Sequence, residues 1–305
     1  MTGSLTPVKD AQPQTAVLFL VFNRPDTTAQ VFDAIRKAKP PRLYVAADGP
    51  RPNRMGEVEK VAKVREIATS VDWPCEVRTL FREKNLGCKY AVSGAINWFF
   101  ELEEQGIILE DDCLPSTRFF SFCEELLDHY KDDNRIGMIA GTRLAEAEFE
   151  GDATYSFSRL VQIWGWATWR RAWAGYDAEL TDWPNFRSSG ELERRGIHPR
   201  VVKYLTKGYD SAHKINTWDY QWSFRCVAGD LLTIFPRSNL VRNIGFGGGA
   251  THTKRAASRL SDFQLEDAGD AVIHPKSVVP NLAYDLNKVA LSNFGRKLRR
   301  LFFTR

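Results

Sequence analysis

Gly106-Ile107-Ile108-Leu109-Glu110-Asp111-Asp112-Cys113 places three consecutive carboxylates directly after an apolar run. Like charges crowded at a strand tip repel one another and raise their own pKa values unless a cation sits among them. Hard divalent ions such as Mg²⁺ or Mn²⁺ take oxygen ligands and leave positions open for substrate phosphates, so one or two of these carboxylates are candidates to hold a metal that in turn holds a diphosphate. The competing reading is a solvated acidic turn at the start of the next helix, where Asp and Glu are common. The chain also carries the glycine-rich run Asn243-Ile244-Gly245-Phe246-Gly247-Gly248-Gly249, which lacks the Lys-Ser/Thr ending of a P-loop.

Composition narrows the classes. The 305 residues suffice for one large domain or two modest ones, and 43% hydrophobic with 26% charged residues is ordinary for a globular protein. A net charge of +4 with no aromatic-basic motif argues against nucleic acid as a partner. The cysteines Cys75, Cys88, Cys113, Cys123 and Cys226 are odd in number and lack metal-type spacing, which suits free thiols in a reducing compartment. The first residues show no signal-peptide profile, and no apolar run approaches the roughly 18 residues of a membrane span. A cytoplasmic location is the expectation. Residues 293–305 interleave Arg296, Lys297, Arg299, Arg300 and Arg305 with Phe294, Leu298, Leu301, Phe302 and Phe303. Such a basic amphipathic segment can lie on the inner membrane face, pack on the body of the protein or meet a partner.

The elements that must position the carboxylates follow from periodicity. Residues 1–15 are polar and read as a flexible tail. Ala16–Phe22 is a continuous apolar run of the kind found in strands buried on both faces of a parallel sheet. A helix is predicted over 27–38, a strand over 43–47, a helix over 57–69, a strand over 75–81, a helix over 89–104 and a strand over 106–109. A helix over 116–130 and a strand over 136–140 complete the series. This alternation predicts an α/β sandwich with a mostly parallel sheet, in which ligands gather at the carboxyl ends of the strands. Asn23-Arg24, Asp48-Gly49 and Glu110-Asp111-Asp112 all fall at such ends. After residue 141 the alternation weakens and seven of the nine tryptophans follow, from Trp164 to Trp222. Two lobes sharing one sheet are expected.

Asn23-Arg24-Pro25, Asp48-Gly49-Pro50, Asn85-Leu86-Gly87, Glu110-Asp111-Asp112, Gly165-Trp166 and Trp218-Asp219, in this order, resemble a glycosyltransferase of the GT-A fold in the nucleotide-diphospho-sugar transferase superfamily. The triplet and the later Trp-Asp element are closest to the N-acetylglucosaminyltransferase I type and its bacterial relatives. The resemblance covers roughly residues 16–253. It implies a Rossmann-like α/β/α sandwich with a nucleotide-sugar-binding half over 16–140, a Trp-rich acceptor-binding and catalytic half over 141–255, and a C-terminal extension over 256–305.

The resemblance also implies roles. Asn23 and Arg24 would lie near the nucleotide base and phosphates, where a guanidinium suits bidentate contact with phosphate. Asp48 would accept hydrogen bonds from base or ribose, and Lys89 would join the nucleotide-sugar site. Asp112 would bind Mn²⁺ or Mg²⁺ directly, with Asp111 beside it near the ribose or a metal-bound water and Glu110 structural. Gly165 would let the donor sugar and the acceptor approach the backbone, with Trp166 and its neighbours offering faces to sugars. The alternative for each tryptophan taken singly is core packing. His252 would be a further metal or diphosphate ligand. Asp219 would be the general base of an inverting transfer from a nucleoside-diphosphate sugar to a saccharide or lipid-linked glycan. Relatives carry paired acids where this chain has Asp219-Tyr220, so Asp210 and Asp230 remain substitutes for the base. A sugar-nucleotide nucleotidyltransferase and a non-catalytic saccharide-binding protein are the rival readings.

Overall fold

The computed structural model describes the backbone of residues 14–245 and 271–303, with side chains of the final helix described through residue 292. His252 and Arg305 lie outside the described residues, as do the side chains of residues 293–304.

The chain begins with β1 (Val17–Val21), α1 (Pro25–Ala38), β2 (Arg42–Ala47), α2 (Glu57–Ala68), β3 (Glu76–Phe81), α3 (Gly87–Leu102) and β4 (Gln105–Glu110). It continues through β5 (Cys113–Pro115), α4 (Thr117–His129), β6 (Ile136–Ala140), β7 (Tyr155–Ser158) and β8 (Trp166–Trp169). Then come α5 (Arg170–Trp173), α6 (Trp183–Ser188), α7 (Glu191–Arg194), α8 (Pro199–Ser211), α9 (Asp219–Ala228), β9 (Leu232–Pro236), β10 (Val241–Asn243) and α10 (Leu282–Phe303).

One eight-stranded sheet in the order β3-β2-β1-β4-β8-β6-β9-β7 runs through the protein. The strands β3, β2, β1 and β4 are mutually parallel. β8 runs antiparallel to both β4 and β6, and β7 runs antiparallel to β9. β6 and β9 are parallel, so six of the eight strands point the same way. The fold is therefore α/β with a mostly parallel central sheet, as the alternation predicts.

Strand pleat sorts the helices between two faces. In β1, Val17, Phe19 and Val21 point into one apolar cluster with Val31, Phe32 and Ile35 of α1, Val64 of α2 and Leu126 of α4. Leu18 and Leu20 point the other way, to Ile96 and Phe99 of α3, Trp173 of α5 and Trp222 of α9. α1 starts earlier than the periodicity alone predicts because Pro25 fits the first helical turn, where its missing N–H costs nothing.

The tryptophans depart from the expected sugar-facing lobe. Trp166, Trp169, Trp173, Trp183, Trp218 and Trp222 are all buried, while Trp164 is half-buried. Trp166 stacks on Trp218 with ring centroids 5.6 Å apart, and Trp173 and Trp222 close the same cluster. Period-2 alternation in β8 sends Trp169 to the opposite face, where its indole N–H donates to the Leu127 carbonyl at 3.1 Å. Each of these rings removes a large apolar area from water, which is what places them inside.

α10 is anchored to the body rather than trailing from it. Tyr284, Asp285, Lys288 and Val289 are buried, Tyr284 stacks on Phe235 at 3.9 Å, and Lys288 Nζ donates to the Val161 carbonyl at 2.7 Å. No described helix is long and apolar enough to cross a membrane.

Candidate functional site

The carboxyl ends of β1, β2 and β4 lie side by side through the pairings Val21 with Ala47 and Leu20 with Glu110. The chain leaves β4 as Glu110-Asp111-Asp112, and the two faces of the sheet divide the triplet. Asp111 and Asp112 turn toward the start of α1. Arg24, the residue before that helix, donates through Nη1 to Asp111 at 3.2 Å and to Asp112 at 2.6 Å, and the Phe22 amide donates to Asp111 at 3.1 Å. Burial works against the Arg24 charge, but Asp111 and Asp112 outweigh it and hold its pKa above the ordinary value. Asp111, buried and beside Asp112, is pushed up to about 7 although Arg24 opposes the rise.

Asp112 is fixed from its other side by β10, which pairs antiparallel with β5. The Asn243 amide lies 3.3 Å from Asp112 Oδ1, and the Ile244 amide donates to the Asp112 carbonyl at 2.7 Å. Gly245 completes the cradle, since an added Cβ there would collide with the Asp112 carboxylate. Asn243 escaped sequence reasoning, because only the antiparallel pairing of two short strands distant in the chain brings it to the triplet.

Glu110 belongs to the other face. It shares the pleat phase of Ile108, which packs with α3 and α9, and among the described residues its carboxylate has no hydrogen-bond donor. Burial, then the charges of Asp112, Asp111 and Asp219, raise its pKa well above the usual carboxylate range. Asp219, the first residue of α9, is one of the charges that act on Glu110. Four supports hold that helix start. Trp218 is stacked in the tryptophan cluster, Tyr176 donates to the Trp218 carbonyl at 3.2 Å, Thr217 donates to Asp219 at 2.5 Å, and Asn216 accepts the Lys89 amide at 2.9 Å. The buried rings thus position a carboxylate, where sequence reasoning expected platforms for sugars. Glu110, expected to be structural, has no ion-pair partner among the described residues, and the charges of its neighbours raise its pKa. The one-residue phase difference between Glu110 and Asp111 could have signalled the split.

The substitutes for the base lie elsewhere. Asp210 accepts from the Trp183 indole at 3.0 Å and pairs with Arg187 at 2.8 Å, while Asp230 pairs with Arg159 at 2.6 Å. Neither is among the principal charges acting on Glu110.

Other expected site residues are occupied by the fold. Asp48 is 8% exposed and accepts from the amides of Gly49, Leu86 and Gly87 and from the Asn85 side chain, all within 3.1 Å. A carboxylate offers about four lone-pair sites, and four donors fill them. It therefore ties the Asn85-Leu86-Gly87 turn to β2, in place of the expected contact with base or ribose. Lys89 pairs with Glu179 at 2.8 Å and so joins α3 to the loop before α6. Gly165 has φ +62°, and an added Cβ would lie 2.8 Å from Val241, so backbone conformation and packing on β10 account for glycine there. Trp166 is fully buried and offers no face to a ligand.

Asn23 donates to Glu57 at 2.8 Å, and Glu57 also accepts from the Arg51 amide at 2.7 Å and from the Arg51 guanidinium. Hydrogen bonding from Arg51 brings the Glu57 pKa down to about 2. Since the folded pKa lies below the unfolded value, this stabilisation is full above about pH 4.5 and is lost as the pH falls toward 2. Glu57→Gln is therefore expected to destabilise the protein by about 1.5–3 kcal/mol at neutral pH. Chemical denaturation should show the gap between variant and parent closing as the pH drops through 4.5 to 2.

Asp111 and Asp112 set two carboxylates against one guanidinium, and the charges of Glu110 and Asp219 add to the negative field there. That excess of negative charge fits a hard divalent cation. Among the described residues no group of three His, Cys, Asp or Glu side chains forms a ready-made metal cage. One or two carboxylates completed by substrate phosphates is nonetheless the arrangement Mg²⁺ commonly uses.

The fold and site define an α/β protein with a carboxylate cluster at the carboxyl edge of its parallel strands. Comparison with known proteins adds little to that. The chain matches no protein-family model and no curated protein. Among solved structures, the crystal structure of HddC from Yersinia pseudotuberculosis is similar at 10% identity and a TM-score of 0.34, over 57% of this chain and 87% of that one. So loose a likeness says nothing about chemistry.

Proposed function

We propose that the protein is a metal-dependent glycosyltransferase that moves a sugar from a nucleoside-diphosphate donor to a saccharide or lipid-linked glycan acceptor with inversion. The observation that carries this reading is the division of the carboxylates. Asp111 and Asp112 are held beside Arg24 at the end of β4, while Asp219 opens α9 as a separate carboxylate whose charge acts on Glu110.

Asp112, with Asp111 next to it, would hold Mn²⁺ or Mg²⁺, which when bound neutralises charge on the departing nucleoside diphosphate. A nucleoside diphosphate is a good leaving group, so no protein acid has to protonate it. Arg24 lies at the start of α1, where its guanidinium and the positive end of the helix both favour an anion. Asp219 would take the proton from the acceptor hydroxyl as it attacks. Its attachment to a packed helix start, and the hydrogen bond from Thr217, keep that carboxylate in place.

A thermal-shift series with nucleoside diphosphates, with and without Mn²⁺, tests the binding half of this proposal. Stabilisation by a nucleoside diphosphate that requires the ion is expected, because a ligand binding only the folded state raises its apparent stability. Stabilisation of equal size without any divalent ion would contradict it.

A further inference from the structure

α8 carries cations in a single stripe. Arg200, Lys203 and Lys207 recur at i, i+3 and i+7, and Lys214 extends the row past the end of the helix. All four are exposed, and none has an ion-pair partner among the described residues. Several basic side chains elsewhere are ion-paired, as in Arg36 with Asp33, Arg135 with Asp133 and Arg195 with Glu191, whereas here four exposed ones share a row. A row of unpaired cations repels itself and presents a positive face that suits an anionic counterpart outside the chain.

The stripe borders an open groove of about 1000 Å³ whose apolar lining includes Ile197, Val202 and Leu282. Glu193 and Asp210 are the acids on this lining, and Asp210 is already tied to Arg187. α10 starts at the groove and packs against α8. Leu282 and Leu291 on α10 are each 49% exposed. The helix continues to Phe303, and its last turns carry Arg296, Lys297, Arg299 and Arg300 interspersed with Phe294, Leu298, Leu301, Phe302 and Phe303.

We infer that the α8 stripe and α10 together form a docking surface for an anionic lipid bilayer. Charge complementarity selects an anionic partner. Leu282, exposed on the same groove as Lys203, Lys207 and Lys214, selects a surface with an apolar layer beneath its charge over a purely acidic protein. The inference does not depend on sugar transfer.

The test is co-sedimentation of the full chain with vesicles of phosphatidylglycerol in phosphatidylcholine, against phosphatidylcholine alone. Binding to the anionic vesicles that weakens with added salt is expected, with little binding to neutral ones. Each cation near an anionic surface is worth about fivefold in partition, so the double variant Lys203→Gln/Lys207→Gln should bind about 25-fold more weakly. Both side chains are exposed, and an unchanged melting temperature would confirm that the variant is folded. Equal binding to neutral vesicles overturns the inference, as does a double variant that binds like the parent. Failure of the parent to sediment with anionic vesicles, the result a surface for an acidic protein would give, overturns it too.

Discussion

Asp112→Asn is expected to lower metal-dependent transfer by about a thousandfold, because an ion worth several kcal/mol of charge stabilisation loses its principal carboxylate. The amide keeps the size of the side chain between Arg24 and Asn243, and Asp111 still accepts from Arg24 and from the Phe22 amide. Folding should therefore survive, and the melting temperature without ligand should stay close to that of the parent. The Mn²⁺-dependent stabilisation by nucleoside diphosphate should vanish in the same variant. Transfer, or metal-dependent hydrolysis of the donor, at the parental rate would sink the role given to Asp112. A parent that binds glycan but turns over no donor would favour a saccharide-binding protein on this fold.

The second large effect separates the base from the metal. Asp219→Asn is expected to reduce kcat by about 10²–10⁴-fold, the range over which a positioned general base contributes. Donor binding should hold, because Asp219 belongs to the α9 face while the contacts of Asp112 come from Arg24 and Asn243. A kcat equal to the parent's, or loss of the Mn²⁺-dependent thermal shift, would remove Asp219 from this role. Asp210→Asn and Asp230→Asn should leave kcat nearly unchanged, since those carboxylates are ion-paired with Arg187 and Arg159. If either abolished transfer while Asp219→Asn did not, the base would have to be reassigned.

These two variants also separate the proposed reaction from its nearest rival. A nucleotidyltransferase assembling the activated sugar would depend on metal binding at the triplet, but it would have no use for a base on the acceptor side. Loss of turnover in Asp112→Asn with full turnover in Asp219→Asn would favour it.

Local chemistry was enough to read the framework. The apolar run at Val17–Val21, the helical spacing of Val31, Phe32 and Ile35, and the alternation through Ile136–Ala140 encode period and burial within a few residues, so each element forms where the pattern says. The same patterns place Asn23-Arg24 and Glu110-Asp111-Asp112 at strand ends, because a polar cluster directly after an apolar strand must leave the sheet.

What the sequence withheld depends on partners far away in the chain. Asp48 reads as a candidate ligand contact until the amides of Leu86 and Gly87 occupy it, and Lys89 reads as free until Glu179 meets it. Seven clustered tryptophans suggest a binding lobe, yet the pleat of β8 and the docking of α5, α6 and α9 put six of them inside. Residue types and order alone determined an α/β protein with its carboxylates at the edge of a parallel sheet. Only the tertiary structure decided that Asp111 and Asp112 meet Arg24 while Glu110, in the pleat phase of Ile108, is left without an ion-pair partner among the described residues. Side-chain direction in a strand reverses at every residue, and which helix waits on each side is set by long-range packing that no local pattern records.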